Sequence, residues 1–212
     1  MTTSPLSPFP ELPLHTPAQI LPSCLATPTY GPGGSMTVAC STVLPKSPER
    51  CLATMLQTSA WPLWNKFCPR VTIQRSSAAV NFPPSVGKLL QGRNDVISAG
   101  SEVTFEVHMD LDEKVTVNQP IFVTHLEEFE RGGKKGLRVA WRAGGAIPGL
   151  MLRSERVQEF IESEEGGCEY YCWETFYGMI VSVLRWSVGS KLQGGFAAWM
   201  DGLGKSIDEV EA

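Results

Sequence analysis

The sequence predicts an α+β fold: a curved antiparallel sheet of about seven strands wrapped round one long C-terminal helix, with two short helices after the first strand. Three observations carry this. Between residues 102 and 177 apolar and polar residues alternate in successive short runs parted by turn residues, as sequential antiparallel strands do. From Ile180 to Val210 an apolar residue returns every three or four positions, through Leu184, Val188, Leu192, Phe196, Trp199, Leu203 and Ile207. That lays one apolar stripe along about eight helical turns. Finally, Trp61, Trp64 and Phe67 step by three, with Pro62 near the start and Pro69 just past the end, which puts three rings on one face of a very short helix that must dock on something apolar.

Taken in order, residues 1–34 carry prolines at 5, 8, 10, 13, 17, 22, 28 and 32 and end in Gly31, Pro32, Gly33 and Gly34. They read as an extended leader that builds no core of its own, although Leu12, Leu14, Ile20, Leu21 and Leu25 can lie along a domain formed by residues 35–212. Residues 36–44 alternate as a first strand. Ser47, Pro48 and Glu49 supply a cap, a first-turn proline and an acidic first turn for a helix through Leu52, Met55 and Leu56, and the Trp61 helix follows. Residues 71–75 form a short strand. Residues 77–100 are a long connection in which residues 88–92 read as a turn-bounded edge piece.

The clearest strand is 102–111, with Val103, Phe105, Val107, Met109 and Leu111 on one face and His108 on the other, among carboxylates and facing water. Residues 119–130, 137–142, 152–163 and 168–177 continue the meander, the last pair joined by Glu164, Glu165, Gly166 and Gly167. The glycines at 189, 194, 195, 202 and 204 weaken the final helix by up to about 1 kcal/mol each relative to alanine. Its stability therefore has to come from tertiary packing.

At 212 residues and 42% apolar content the chain can bury a full core, and its net charge of −4 comes without long charge runs. Nucleic acid is not an expected partner, because the densest basic stretch, Arg131 to Arg138, reads as a polar hairpin turn. No apolar run reaches the ~18 residues of a membrane span and no secretory start is present, so a cytoplasmic monomer or homodimer is expected. The six cysteines contain no C-x-x-C pair, which argues against zinc. Cys168 and Cys172 lie about 13 Å apart along one strand, too far for a mutual disulfide.

Residues 59–69, with Trp61, Pro62, Trp64, Asn65, Phe67 and Pro69, resemble the YPxWNxFxP run of the second helix of START-like proteins. Residues 105–109, 155–160 and 173–178 resemble other marks of that fold, and the likeness spans about residues 36–210. The chain is thus similar to the SRPBCC superfamily, which includes polyketide cyclases, lipid-transfer domains and birch-pollen-allergen-like proteins. The resemblance implies a helix-grip fold enclosing an apolar pocket between sheet and final helix. It does not by itself imply an activity.

No Walker, dinucleotide-binding, G-x-S-x-G or H-E-x-x-H pattern occurs, so neither a cofactor nor a metal is expected. What remains is a pocket with a few polar groups. Candidate catalytic residues are Glu174, a carboxylate suited to acid–base work if its face lines the pocket; His125, in phase with Ile121 and Val123; and Arg75, in phase with Val71 and Ile73 and able to grip a ligand anion or to snorkel at the rim. Trp64, Phe67, Phe105, Met109 and Trp141 are candidate walls. Arg156 is a candidate ligand contact, and so are Tyr171 and Trp173, which share a face opposite to Glu174, leaving open which of the two faces lines the pocket. The expected function is binding of a hydrophobic small molecule, with cofactor-independent cyclisation, dehydration or isomerisation of a polyketide-like or aromatic metabolite. A non-catalytic lipid or quinone carrier, or a partner-docking protein, are the alternatives.

Overall fold

The computed structural model describes residues 12–76, 82–111 and 115–209. Eight antiparallel strands form one sheet: β1 (Gln19–Ile20), β2 (Met36–Leu44), β3 (Arg70–Arg75), β4 (Glu102–His108), β5 (Thr116–Arg131), β6 (Lys134–Ala143), β7 (Arg153–Glu162) and β8 (Cys168–Tyr177). Their order across the sheet is β1-β2-β8-β7-β6-β5-β4-β3. Helices α1 (Pro48–Leu56) and α2 (Trp61–Trp64) follow β2, α3 (Pro84–Leu89) lies in the long connection, and α4 (Val181–Glu209) closes the chain. Seven of the strands are those the alternation predicts. The eighth, β1, comes from the proline-rich leader and pairs Gln19 with Ala39 and Ile20 with Val38.

Residues 88–92 are not an edge strand. Pro84 opens a helical turn there, and the segment has no strand to pair with. Turns behave as their glycines require: Gly132 and Gly133, between β5 and β6, have φ of 57° and 81°, the left-handed conformation of a tight hairpin.

One face of the sheet curves round α4, and its core holds Val38, Cys40, Val139, Trp141, Phe160, Tyr170, Phe196 and Trp199. Two of the α4 glycines are seats for aromatic residues. A Cβ at Gly195 would strike the Phe67 ring, and one at Gly202 would strike the Trp64 carbonyl. The intrinsic cost of glycine is therefore offset by close approach of the Trp61–Phe67 segment. Trp61 meets Trp199 and Phe105 edge-on at 5.0 and 5.1 Å between ring centroids, and Phe105 meets Trp141 at 5.5 Å.

The other face is also covered. Leader residues Leu12, Leu21 and Leu25 pack with Ala39, Ala140, Val157 and Trp173 in a second, smaller cluster. Leader backbone and threonines satisfy the polar groups there. Trp173 Nε1 donates to the Ala26 carbonyl at 3.1 Å, Thr175 Oγ1 to the Leu25 carbonyl at 2.8 Å, and Tyr177 OH to the Gly31 carbonyl at 2.7 Å.

Candidate functional site

Between the concave face and the first half of α4 lies a cleft of about 730 Å³. Its walls are mostly apolar: Phe105 and Val107 on β4, Ile121 on β5, Trp141 on β6, Phe176 on β8, and Leu184, Val188 and Leu192 on α4. The alternation of β4 to β8 turns large side chains inward, and Leu184 and Val188 in the first half of α4 are half-buried at the cleft whereas Phe196, Trp199 and Leu203 further along are buried. Phe67, Cys68 and Met109 line one side, and Tyr30 reaches the mouth from the leader, where Arg153 lies over its ring at 4.8 Å. Cys68 is no nucleophile: burial pushes its thiol up to about 12.

The polar groups of the cleft converge on β7 and β8. Arg156 stands directly opposite Glu174 in the register, and Ser154 opposite Phe176, so all four side chains share the concave face. Ser154 Oγ donates to Glu174 Oε1 at 2.7 Å. Burial pushes the Glu174 carboxyl above the usual glutamate range, against the opposing pull of the Arg156 charge and of that hydrogen bond. Arg156 is 5% exposed. Its guanidinium lies 4.1 Å from the Phe196 ring centroid and 4.3 Å from that of Trp199, and its Nε donates to Cys172 Sγ at 3.3 Å. Its Nη2 has no hydrogen-bond partner. Behind it, Tyr170 OH and Trp199 Nε1 both donate to Gln158 Oε1, at 2.5 and 3.0 Å, which closes the inner end of the site. Burial pushes the Cys172 thiol up, yet its hydrogen bond with Cys40 and the Arg156 charge bring it down to about 6.

The structure sorts the residues predicted from sequence. Glu174, Arg156, Phe67, Phe105, Met109 and Trp141 line the cleft. Trp64 is buried against Trp61 and Trp199 but does not reach the lining. His125 is not in the cleft. The register shifts between Val123 and His125, so His125 pairs with Ala140 on the convex face, its Nδ1 3.9 Å from Glu155 Oε1. Arg75 is likewise displaced by a register shift after Ile73; it is exposed at the sheet rim, paired with Glu102 at 3.2 Å. Tyr171 and Trp173 face the leader, not the ligand space. His108 shares its face with Glu106, to which its Nε2 is bonded at 2.9 Å, but it is sealed rather than wet, because its backbone N–H donates to the Phe67 carbonyl and that segment covers it.

Sequence reasoning missed Ser154 and Tyr30. Ser154 is two residues from Arg156 in a strand, and that phase is the signal that finds it. Tyr30 carries no such signal, since it lies in the leader and no strand period reaches it.

No family model matches the chain. Among curated proteins, the Penicillium oxalicum "Oxopyrrolidines biosynthesis cluster protein O" is 26% identical over 171 residues, covering 74% of this chain and 79% of that protein. Many solved structures resemble the fold. A hypothetical protein of Helicobacter pylori aligns with a TM-score of 0.56 at 16% identity over 80% of this chain and 85% of its own. A START superfamily protein of Mycobacterium smegmatis aligns at 0.51 and 8% identity, over 81% and 98%. A Thalictrum norcoclaurine synthase, in complex with a transition-state analogue, aligns at 0.51 and 8% identity, over 83% and 96%.

Proposed function

We propose that this protein, whose fold is START-like, is a cofactor-independent enzyme that binds a hydrophobic carbonyl compound in its cleft and rearranges it by proton transfer, in a cyclisation, dehydration or isomerisation. The observation that carries this is Glu174, a carboxyl of raised pKa in an apolar cleft, with one oxygen held by Ser154 and a guanidinium opposite. The Glu174 carboxylate takes a proton from the carbon beside a carbonyl. The C–H bond pair moves into a new C=C bond and the carbonyl pair onto oxygen, where the nearby positive charge of Arg156 stabilises the enolate. The protonated carboxyl then returns its proton to another carbon, or to a departing hydroxyl. The likeness to a biosynthesis-cluster protein supports a small-molecule role.

A second reading, a non-catalytic carrier, is favoured by the mostly apolar lining. One experiment separates them. The protein is incubated in D2O with 2-methyl-1-tetralone, an apolar aryl ketone, and deuterium uptake at the α-carbon is followed by mass spectrometry. Catalysed exchange that Glu174→Gln abolishes supports the enzyme. A ketone that binds and exchanges no faster than in buffer supports the carrier.

A further inference from the structure

The reading above leaves Arg156 oversized for its task. A buried cation normally has a paired anion or a full set of acceptors. Here Nε is met by the Cys172 sulfur, an anion once that thiol ionises, but Nη2 has no acceptor, and among the described residues no carboxylate comes within ion-pair distance of the guanidinium. Glu174 stands opposite in the register, but the donor at its Oε1 is Ser154. The Phe196 and Trp199 rings pin the guanidinium plane, so its in-plane N–H groups are what a ligand can use. A planar delocalised oxyanion matches that edge with parallel hydrogen bonds, and the apolar walls ahead of it need an apolar body on the same molecule.

We propose that the ligand is an apolar molecule ending in a planar oxyanion, either a carboxylate or the enolate of a 1,3-dicarbonyl, and that Arg156 holds this group. The proposal rests on the cleft being the ligand site, and it names the class of substrate that site takes. Besides the ligand, the titratable groups that feel Arg156 are Cys172, Tyr170, Glu174, Cys68 and Cys40. A bound oxyanion competes with Cys172 and Glu174 for the same positive charge.

The test uses the full chain and matched probes. Tryptophan quenching compares naphthalene-2-carboxylate with the isosteric naphthalene-2-carboxamide, and absorbance follows ionisation of 1-phenyl-1,3-butanedione. We expect the carboxylate to bind about tenfold or more tightly than the amide, and the bound diketone to show its enolate band at a pH where the free compound does not. Arg156→Met should erase both effects while amide binding persists; Arg156→Lys, which keeps the charge and loses the fork, should weaken both. Equal binding of acid and amide, with no enolate band from bound diketone, overturns the oxyanion assignment and leaves the cleft reading intact. Failure of every probe to bind overturns both. Because the wild-type comparison alone decides between these outcomes, the test stands even if Arg156→Met does not fold.

Discussion

The two faces of the central strands β7 and β8 solve opposite problems with the same residue types. On the convex face Glu155 is completely buried and saturated: Thr29 N–H donates to Oε2 at 2.8 Å, and the hydroxyls of Thr29 and Thr124 donate to Oε1 at 2.5 and 2.8 Å. On the concave face Glu174 is half-buried and has one protein donor, Ser154. A carboxylate whose lone pairs are filled by fixed donors is a rivet, here between the leader and the sheet. One left under-solvated beside a cleft fits the base proposed for Glu174, because burial raises its proton affinity while little else commits it. The leader thus closes one face with hydrogen bonds, and on the other a cleft remains beside the first half of α4.

The largest effect that could break this contrast is on turnover. Glu174→Gln keeps the shape and the Ser154 contact but cannot carry a proton, so deuterium exchange into the ketone should fall by roughly 10²–10⁴-fold in a protein that still folds. Unchanged exchange would remove Glu174 from the chemistry. The convex counterpart comes next. Glu155→Ala strands three donors at once and should cost about 3 kcal/mol or more of folding free energy, read as a lower urea midpoint; a midpoint equal to wild type would mean the leader is not riveted there.

A third test uses pH. The folded-state pKa of Glu174 lies above its ordinary value of 4.5. Below that ordinary value folded and unfolded chains both hold the proton, and burial has no effect on stability. As pH rises from there through the folded pKa, the folded protein must ionise the group against burial, and stability is lost. Wild type should therefore lose stability relative to Glu174→Gln from about pH 4.5 upward and level off above the folded pKa. The opposite slope in paired thermal melts would show that Arg156 and Ser154 outweigh burial.

The same contrast explains what could be read from the sequence. Strands β4 to β8 and the stripe of α4 were legible because burial and periodicity agree there. The face of β8 was not, because the leader buries Trp173 and Tyr177 as thoroughly as the core buries Cys172 and Phe176, and alternation has no contrast when both faces are dry. His125 and Arg75 were placed by counting in twos across register shifts, and each shift moves the next side chain to the other face. Strand β1 is two residues among prolines, too short to carry a period. Arg156, Phe105 and Trp141 line the cleft because large side chains in phase with a core strand have few other places to go.

The smallest effect is the sharpest comparison. Ser154→Ala and Thr124→Val each remove one hydroxyl donor from a glutamate, Ser154 from Glu174 and Thr124 from Glu155. Each should cost about 1 kcal/mol of stability, so denaturation alone does not tell them apart. Their pH behaviour does. The Ser154 hydrogen bond favours the Glu174 carboxylate, so losing it drives the pKa of Glu174 further up. The acidic limb of the exchange rate, which requires the ionised base, should then move to higher pH, and the window over which wild type loses stability should widen upward. Thr124→Val should leave both profiles where they are, because Glu155 does not touch the cleft. Equal pH profiles for the two variants would mean that Ser154, like Thr124, only holds the fold together.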